Sequence, residues 1–195
     1  MNKREAQAIE TKNRITQIAI DMILNSNFNN VTVDHICSKA NVSKGAFYHH
    51  FNSKSDIVVE IYKNKVIDSY QVENKIYQST SSIGKIHETI LSFLELIYNG
   101  GIEIVKQVFI HEIQTDLKYY ISEGLIVFDH LKSLIEDGQK SGEIRTDLNS
   151  TDLSLYIIKF SRGLLYDWCI YKGKYNFIEK ATKDLNLFLD SIRKL

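Results

Sequence analysis

The sequence predicts an all-α protein of about nine helices. Three observations predict it. Proline is absent from all 195 residues, where about 5% is usual, and a chain without it tolerates long uninterrupted helices. Apolar residues recur at i, i+3, i+4 and i+7 through most of the chain, the period of a helix with one buried face. Convincing alternation of apolar and polar residues, the mark of a strand, is missing; only near residues 143–146 does a short strand stay open.

The elements follow in order. Ile15, Ile18, Ala19, Met22 and Ile23 share one face of a first helix. The polar turn formers of 26–30 end it. Thr32 is a good N-cap for a short second helix that turns Val33, Ile36, Cys37 and Ala40 inward. Asn41 tolerates the left-handed conformation of a tight helix–helix turn, and Ser43 caps a third short helix. Ser53, Lys54, Ser55 and Asp56 read as a capping box, with Asp in place of Glu, that opens a fourth helix over about 55–71. After a polar stretch near 73–82 come four more stripes. They are Ile83 to Ile97; Ile104, Val108, Phe109 and Ile113; Leu125, Phe128, Leu131 and Ile135; and the long apolar run from Leu153 to Trp168. Ile178, Leu185, Phe188, Leu189 and Ile192 form the last.

Composition bounds the function. With 44% hydrophobic and 25% charged residues the chain is an ordinary globular one, long enough for a real core. No run approaches the roughly 20 apolar residues of a membrane span, and the polar opening has no secretory h-region. Cys37 and Cys169 form neither a metal-ligand spacing nor a disulfide framework, which fits a reducing cytoplasm. No metal or other cofactor is expected: His111 and Glu112 with His87 or His130 match no known ligand spacing. No nucleophile–base pair or phosphate loop points to an enzyme. The formal net charge is zero, which by itself argues against nucleic acid as a partner. Residues 1–70, however, hold 9 basic and 7 acidic side chains, whereas 71–195 hold 15 and 17.

Residues 32–51 carry the functional signal. Two short helices, about 32–39 and 43–50, joined by a turn at 40–42, make a helix-turn-helix, whose second helix enters the DNA major groove. On a helical wheel Phe47 and Phe51 face the small core. Gly45, Ala46 and His49 lie opposite, with Tyr48 and His50 on the flanks and Lys44 in the first turn. Gly45 and Ala46 let the helix sit deep, and the Ala46 methyl can meet a thymine methyl. Lys44 can reach guanine O6 or N7. Tyr48 can bond a phosphate or pack against a base methyl, and His50 and Lys54, with Thr32 and Ser43 at two helix starts, suit phosphates. An adaptor that keeps the fold but reads a protein partner would not need Lys44, Tyr48 and His49 on this face.

The run from Thr32 to Ile57 resembles the DNA-binding region of the TetR family of bacterial transcriptional regulators. The likeness rests on Thr32, on Ala40-Asn41-Val42-Ser43, on Phe47-Tyr48-His49-His50-Phe51, and on Ser53-Lys54 with Asp56. It covers about residues 12–56, and only Asn41 and Cys37 depart from the residues common there. The resemblance implies a homeodomain-like three-helix head over 1–54, a linking helix four over about 55–71, and a helical ligand-binding and dimerisation domain over 72–195. It also implies a palindromic DNA operator, a homodimer, action as a repressor, and a small-molecule effector. Candidate dimer contacts are Leu155, Ile158, Leu165, Phe188, Leu189 and Ile192, on two late helices that would pair with the same helices of a second chain; the alternative is that they face the chain's own core. Candidate pocket residues are Phe93, Tyr98, Phe109, Glu112, Tyr119, Phe128 and Trp168, joined by Ile97 and Tyr120; they describe a plain helical core equally well.

Overall fold

The computed structural model describes residues 2–26, 28–60, 62, 76–115 and 126–194. Among them are nine α-helices, one 3-10 turn and no strand. Helix α1 spans Lys3–Asn25, and its capping box is built by Asn2 and Glu5. Ile15, Ala19 and Ile23 lie buried on one side. A single 3-10 turn over Phe28–Asn30 follows, and Phe28 is buried there, so the polar connection carries one core residue.

Helix α2 spans Val33–Ala40 and α3 spans Lys44–His50. Thr32 Oγ1 accepts from His35 N at 3.2 Å and Ser43 Oγ accepts from Ala46 N at 3.1 Å. Between them Asn41 takes φ 51°, ψ 52°. That left-handed step lets Val42 N reach Cys37 O at 3.0 Å, closing the end of α2. Phe47, Phe51, Ile36 and Ala40 join the α1 stripe in one core. Helix α4 begins at residue 54 and is described through 60, with residue 62 also helical. Lys12 of α1 pairs with Glu60 of α4. The remainder of the expected helix four lies outside the described residues.

The remaining helices are α5 (Ser82–Asn99), α6 (Ile102–Thr115), α7 (Ile126–Lys140), α8 (Ser150–Ile170) and α9 (Phe177–Asp190). Helix α7 packs on α8 and α5, and α5 packs on α9. Distant chain closes the start of α5: the Glu143 carboxylate accepts from Ser82 N at 2.7 Å and Ile83 N at 2.9 Å. Gly138 permits this approach, since a Cβ there would stand 2.5 Å from Ile144 Cδ1 and 2.9 Å from Ser82 Cβ. The short strand left open near 143–146 is one isolated bridge, Ile144 to Arg193. Ile113, read as part of a buried stripe, is 77% exposed. Among the described residues no helix is long and apolar enough to cross a membrane.

Candidate functional site

The caps and the turn place one exposed face on α3. Lys44, Gly45, Tyr48 and His49 are exposed, and Ala46 and His50 are half-buried. Nothing in the chain's own packing demands glycine at 45: a Cβ would meet only Ser43 Oγ, at an ordinary 3.7 Å. Tyr48 is held edge-on by Phe47, with ring centroids 5.4 Å apart at 84°. Thr32 and Ser43 use their oxygens as cap acceptors, so each hydroxyl proton remains a donor. Burial pulls the His50 pKa below its usual value, and the charges of His49 and Lys12 add to the effect.

The two lysines of the face have partners that spacing did not reveal. Lys44 Nζ lies 2.6 Å from Asp34 Oδ1, and the hydrogen bond and charge of Asp34 raise its pKa. Lys54 turns inward. Its Nζ donates to Phe28 O and Val31 O, both at 2.7 Å, and sits 4.1 Å from the Phe28 ring centroid. Burial lowers its pKa. Two of its three donors thus tie the start of α4 to the α1–α2 connection, leaving one for the expected phosphate. Asp34 is the residue that sequence reasoning missed; an acid in the first turn of a helix reads as a dipole partner, and only contact with α3 distinguishes it.

The start of α4 also meets α6. Asp56 Oδ2 accepts from Asn52 N at 2.8 Å, and Oδ1 accepts from Ser53 Oγ at 2.7 Å. His111 Nε2, on α6, donates to the same Oδ1 at 3.2 Å. Burial alone would raise the Asp56 pKa; the bonds from Ser53, Asn52 and His111 outweigh it and hold the carboxyl below its usual range. The next residue, Glu112, accepts from Arg162 Nη2 of α8 at 2.7 Å, and that guanidinium lies 5.4 Å from the Phe109 ring centroid. The histidines do not converge: His111 faces Asp56 and His130 pairs with Tyr77.

The expected pocket residues fall into separate groups. Tyr98, Trp168 and Phe177 pack on one another with centroids 5.1–5.8 Å apart. This cluster borders Ile102 at the start of α6, beside Gly173. Phe109 and Glu112 stand further along α6, about 10 Å and about 15 Å from Ile102 at about 1.5 Å rise per residue. Phe128 is buried in α7 and Phe93 half-buried in α5. Tyr119 and Tyr120 lie outside the described residues.

The expected dimer contacts need correction. Ile158 (7% exposed), Leu165 (1%), Leu189 (1%) and Ile192 (4%) lie in the chain's own core. On α8, Ile158 and Leu165 are buried with Leu153, Ile157 and Ser161, and α7 and α6 pack on that helix. Leu155 and Phe188 are half-buried against the same core. The outward side instead presents Tyr156, Gly163 and Leu187. Phe160 and Phe188 stack there at 4.4 Å and 15°, flooring a surface hollow of about 310 Å³ shared with Asp184 and Leu187. A Cβ at Gly163 would meet no heavy atom within 4 Å.

Known proteins share this arrangement. Residues 15–61 match the family model described as bacterial regulatory proteins, tetR family. Residues 51–191 match that of the YsiA-like protein, C-terminal region. The fatty acid metabolism regulator protein of Bacillus subtilis is 22% identical over 182 residues, covering 92% of this chain and 94% of that protein. The HTH-type transcriptional repressor BepR of Brucella suis is 21% identical over 206 residues, covering 99% and 97%. The solved structure of the regulator FadR from Bacillus subtilis, in complex with stearoyl-CoA, superposes with a TM-score of 0.63 at 20% identity, over 90% of this chain and 96% of that one. These relatives are transcriptional regulators, not enzymes. The helix-turn-helix head and the helical body together place the chain in the TetR family, as a DNA-binding transcriptional regulator.

Proposed function

We propose that the chain is a homodimeric, effector-responsive repressor acting in the cytoplasm on a palindromic operator. Residues 1–54 form the reading head, helix four the link, and 72–195 the regulatory body. Helix α3 enters the major groove, with Lys44, Gly45, Ala46, Tyr48 and His49 toward the bases. Thr32, Ser43, His50 and the remaining donor of Lys54 face phosphates.

The observation that carries the regulatory half is the His111–Asp56 hydrogen bond, 3.2 Å long. It joins α6 to the residue that caps α4 directly after the recognition helix. An effector that displaces α6 pulls on that cap and tilts the head. Coupling requires that the effector bind the displaced arrangement better than the DNA-bound one. Two chains pair through the outward face of α8 and α9, around Tyr156, Phe160, Gly163, Leu187 and Phe188, in a four-helix bundle. Pairing sets two recognition helices about 34–36 Å apart for two half-sites.

The effector lodges among α5 to α8, between Phe93, Phe109 and Phe128, with Glu112 and Arg162 as its polar boundary. A long-chain acyl-CoA is the class favoured, because the Bacillus subtilis regulator FadR was solved with stearoyl-CoA. Light scattering of the full chain and fluorescence anisotropy on the duplex upstream of its own coding sequence test this reading. A dimer mass, tight binding, and release by stearoyl-CoA are expected. A monomer mass, or binding indifferent to stearoyl-CoA, counts against the corresponding part.

A further inference from the structure

Asp34 stands in the first turn of α2, where the positive end of the helix dipole suits an acid. That suffices to explain the residue type but not its contact. Its Oδ1 lies 2.6 Å from Nζ of Lys44, the first residue of α3, and both side chains are 62% exposed. An ion pair so open to water adds little to stability. It has a definite consequence for DNA: it places a carboxylate on the reading face and offsets the charge of Lys44. A surface built only to attract phosphates would not carry it.

We propose that Asp34 is a specificity-determining residue that acts with Lys44 as one donor–acceptor unit in the major groove. An ammonium has three N–H donors. With one on Asp34 Oδ1, two remain for O6 and N7 of a guanine. The second carboxylate oxygen, Oδ2, accepts from the N4 amino group of a cytosine or the N6 amino group of an adenine on the neighbouring base pair. Where that pair presents a carbonyl acceptor instead, the carboxylate meets partial negative charge and the complex weakens. Asp34 therefore selects by exclusion as well as by attraction. The bare backbone at Gly45, one residue beyond Lys44, leaves the approach open. The inference rests on α3 entering the groove.

The test needs no known operator. The full-length wild type and the variants Asp34→Ala, Asp34→Asn, Lys44→Ala and Asp34→Ala/Lys44→Ala each select sites from a randomised duplex library. Affinity for a random-sequence duplex is measured against salt alongside. The wild type should enrich a half-site with a strong preference at two adjacent positions. Asp34→Ala and Asp34→Asn should lose about tenfold discrimination at those positions, where Lys44→Ala also flattens the preference. The double variant should lose little more than either single change, because the two side chains act as a unit. On random duplex, Asp34→Ala should bind more tightly and steepen the slope of log K against log salt by about 0.9, as the charge of Lys44 becomes available to a phosphate. Asp34→Asn is close to isosteric and keeps an acceptor, so it answers the question even if the alanine variant folds poorly. Selection of the wild-type site by both Asp34 variants, with an unchanged salt slope, would overturn the proposal and leave Asp34 a helix-dipole residue. Failure of the wild type to enrich any site would instead remove the groove assignment of α3, and the proposal with it.

Discussion

Replacing Lys54 with methionine removes the ammonium and keeps most of the stem. In the folded chain Nζ donates to Phe28 O and Val31 O at 2.7 Å and stands 4.1 Å from the Phe28 ring centroid. A hydrogen bond from a charged donor contributes about 1.5–3 kcal/mol net. Partial exposure, which lets water replace the lost donor, lowers this to about 1 kcal/mol for each carbonyl. The cation–π contact adds about 0.5 kcal/mol. Desolvation of the ammonium, which pulls the Lys54 pKa down, offsets part of the gain. The net loss is about 2 kcal/mol, or about 4–8 °C in Tm for a chain of this size. Thermal unfolding followed by circular dichroism measures it, with salt-dependent binding to random duplex alongside. A lysine turned wholly to a phosphate predicts the reverse: an unchanged Tm and a salt slope flatter by about 0.9. That pair of results would refute the inward role.

Two other outcomes follow from the geometry. Gly163→Arg should give a monomer in light scattering that keeps the helical circular dichroism of the wild type, since the chain's own packing leaves open space there and glycine costs a helix interior about 1 kcal/mol. Leu165→Ala, at a residue 1% exposed, should instead destabilise the chain by about 2–5 kcal/mol; a dimer of Gly163→Arg with intact mass sinks the proposed interface. For His50, a pKa depressed below 6.5 in the folded chain means that the unfolded chain binds more protons. Stability is then complete above about pH 6.5 and lost as pH falls toward the folded pKa. Urea titrations from about pH 8 to about pH 5.5 should show this slope, and His50→Gln should flatten it; an equal slope in the variant assigns the effect to other groups.

Much of the head is legible in the sequence because its determinants are local. Thr32, Ser43 and Asp56 act within three or four residues of the groups they bond, and Asn41 carries its left-handed turn in its own dihedral angles. The wheel of α3 likewise needs only seven residues to put Phe47 inside and Gly45 outside. Legibility falls on α8, where apolar residues occupy more than one side. Periodicity finds the helix but does not say which side meets α7 and which is left for a partner. Ile158 and Leu165 face the chain's own core, the alternative that periodicity leaves open, and Gly163 and Leu187 are exposed.

Forces that act within one or two turns of chain make the helical class, the helix-turn-helix, its caps and the exposed face of α3 legible in the sequence. Only the tertiary structure decided where the long and charged side chains go. Lys54 finds carbonyls 26 and 23 residues away, His111 finds Asp56 across 55 residues, and Glu143 caps α5 across 61. Flexible side chains take whichever polar group the fold brings near, and an ion pair such as Asp34 with Lys44 exists because two helices meet at one corner.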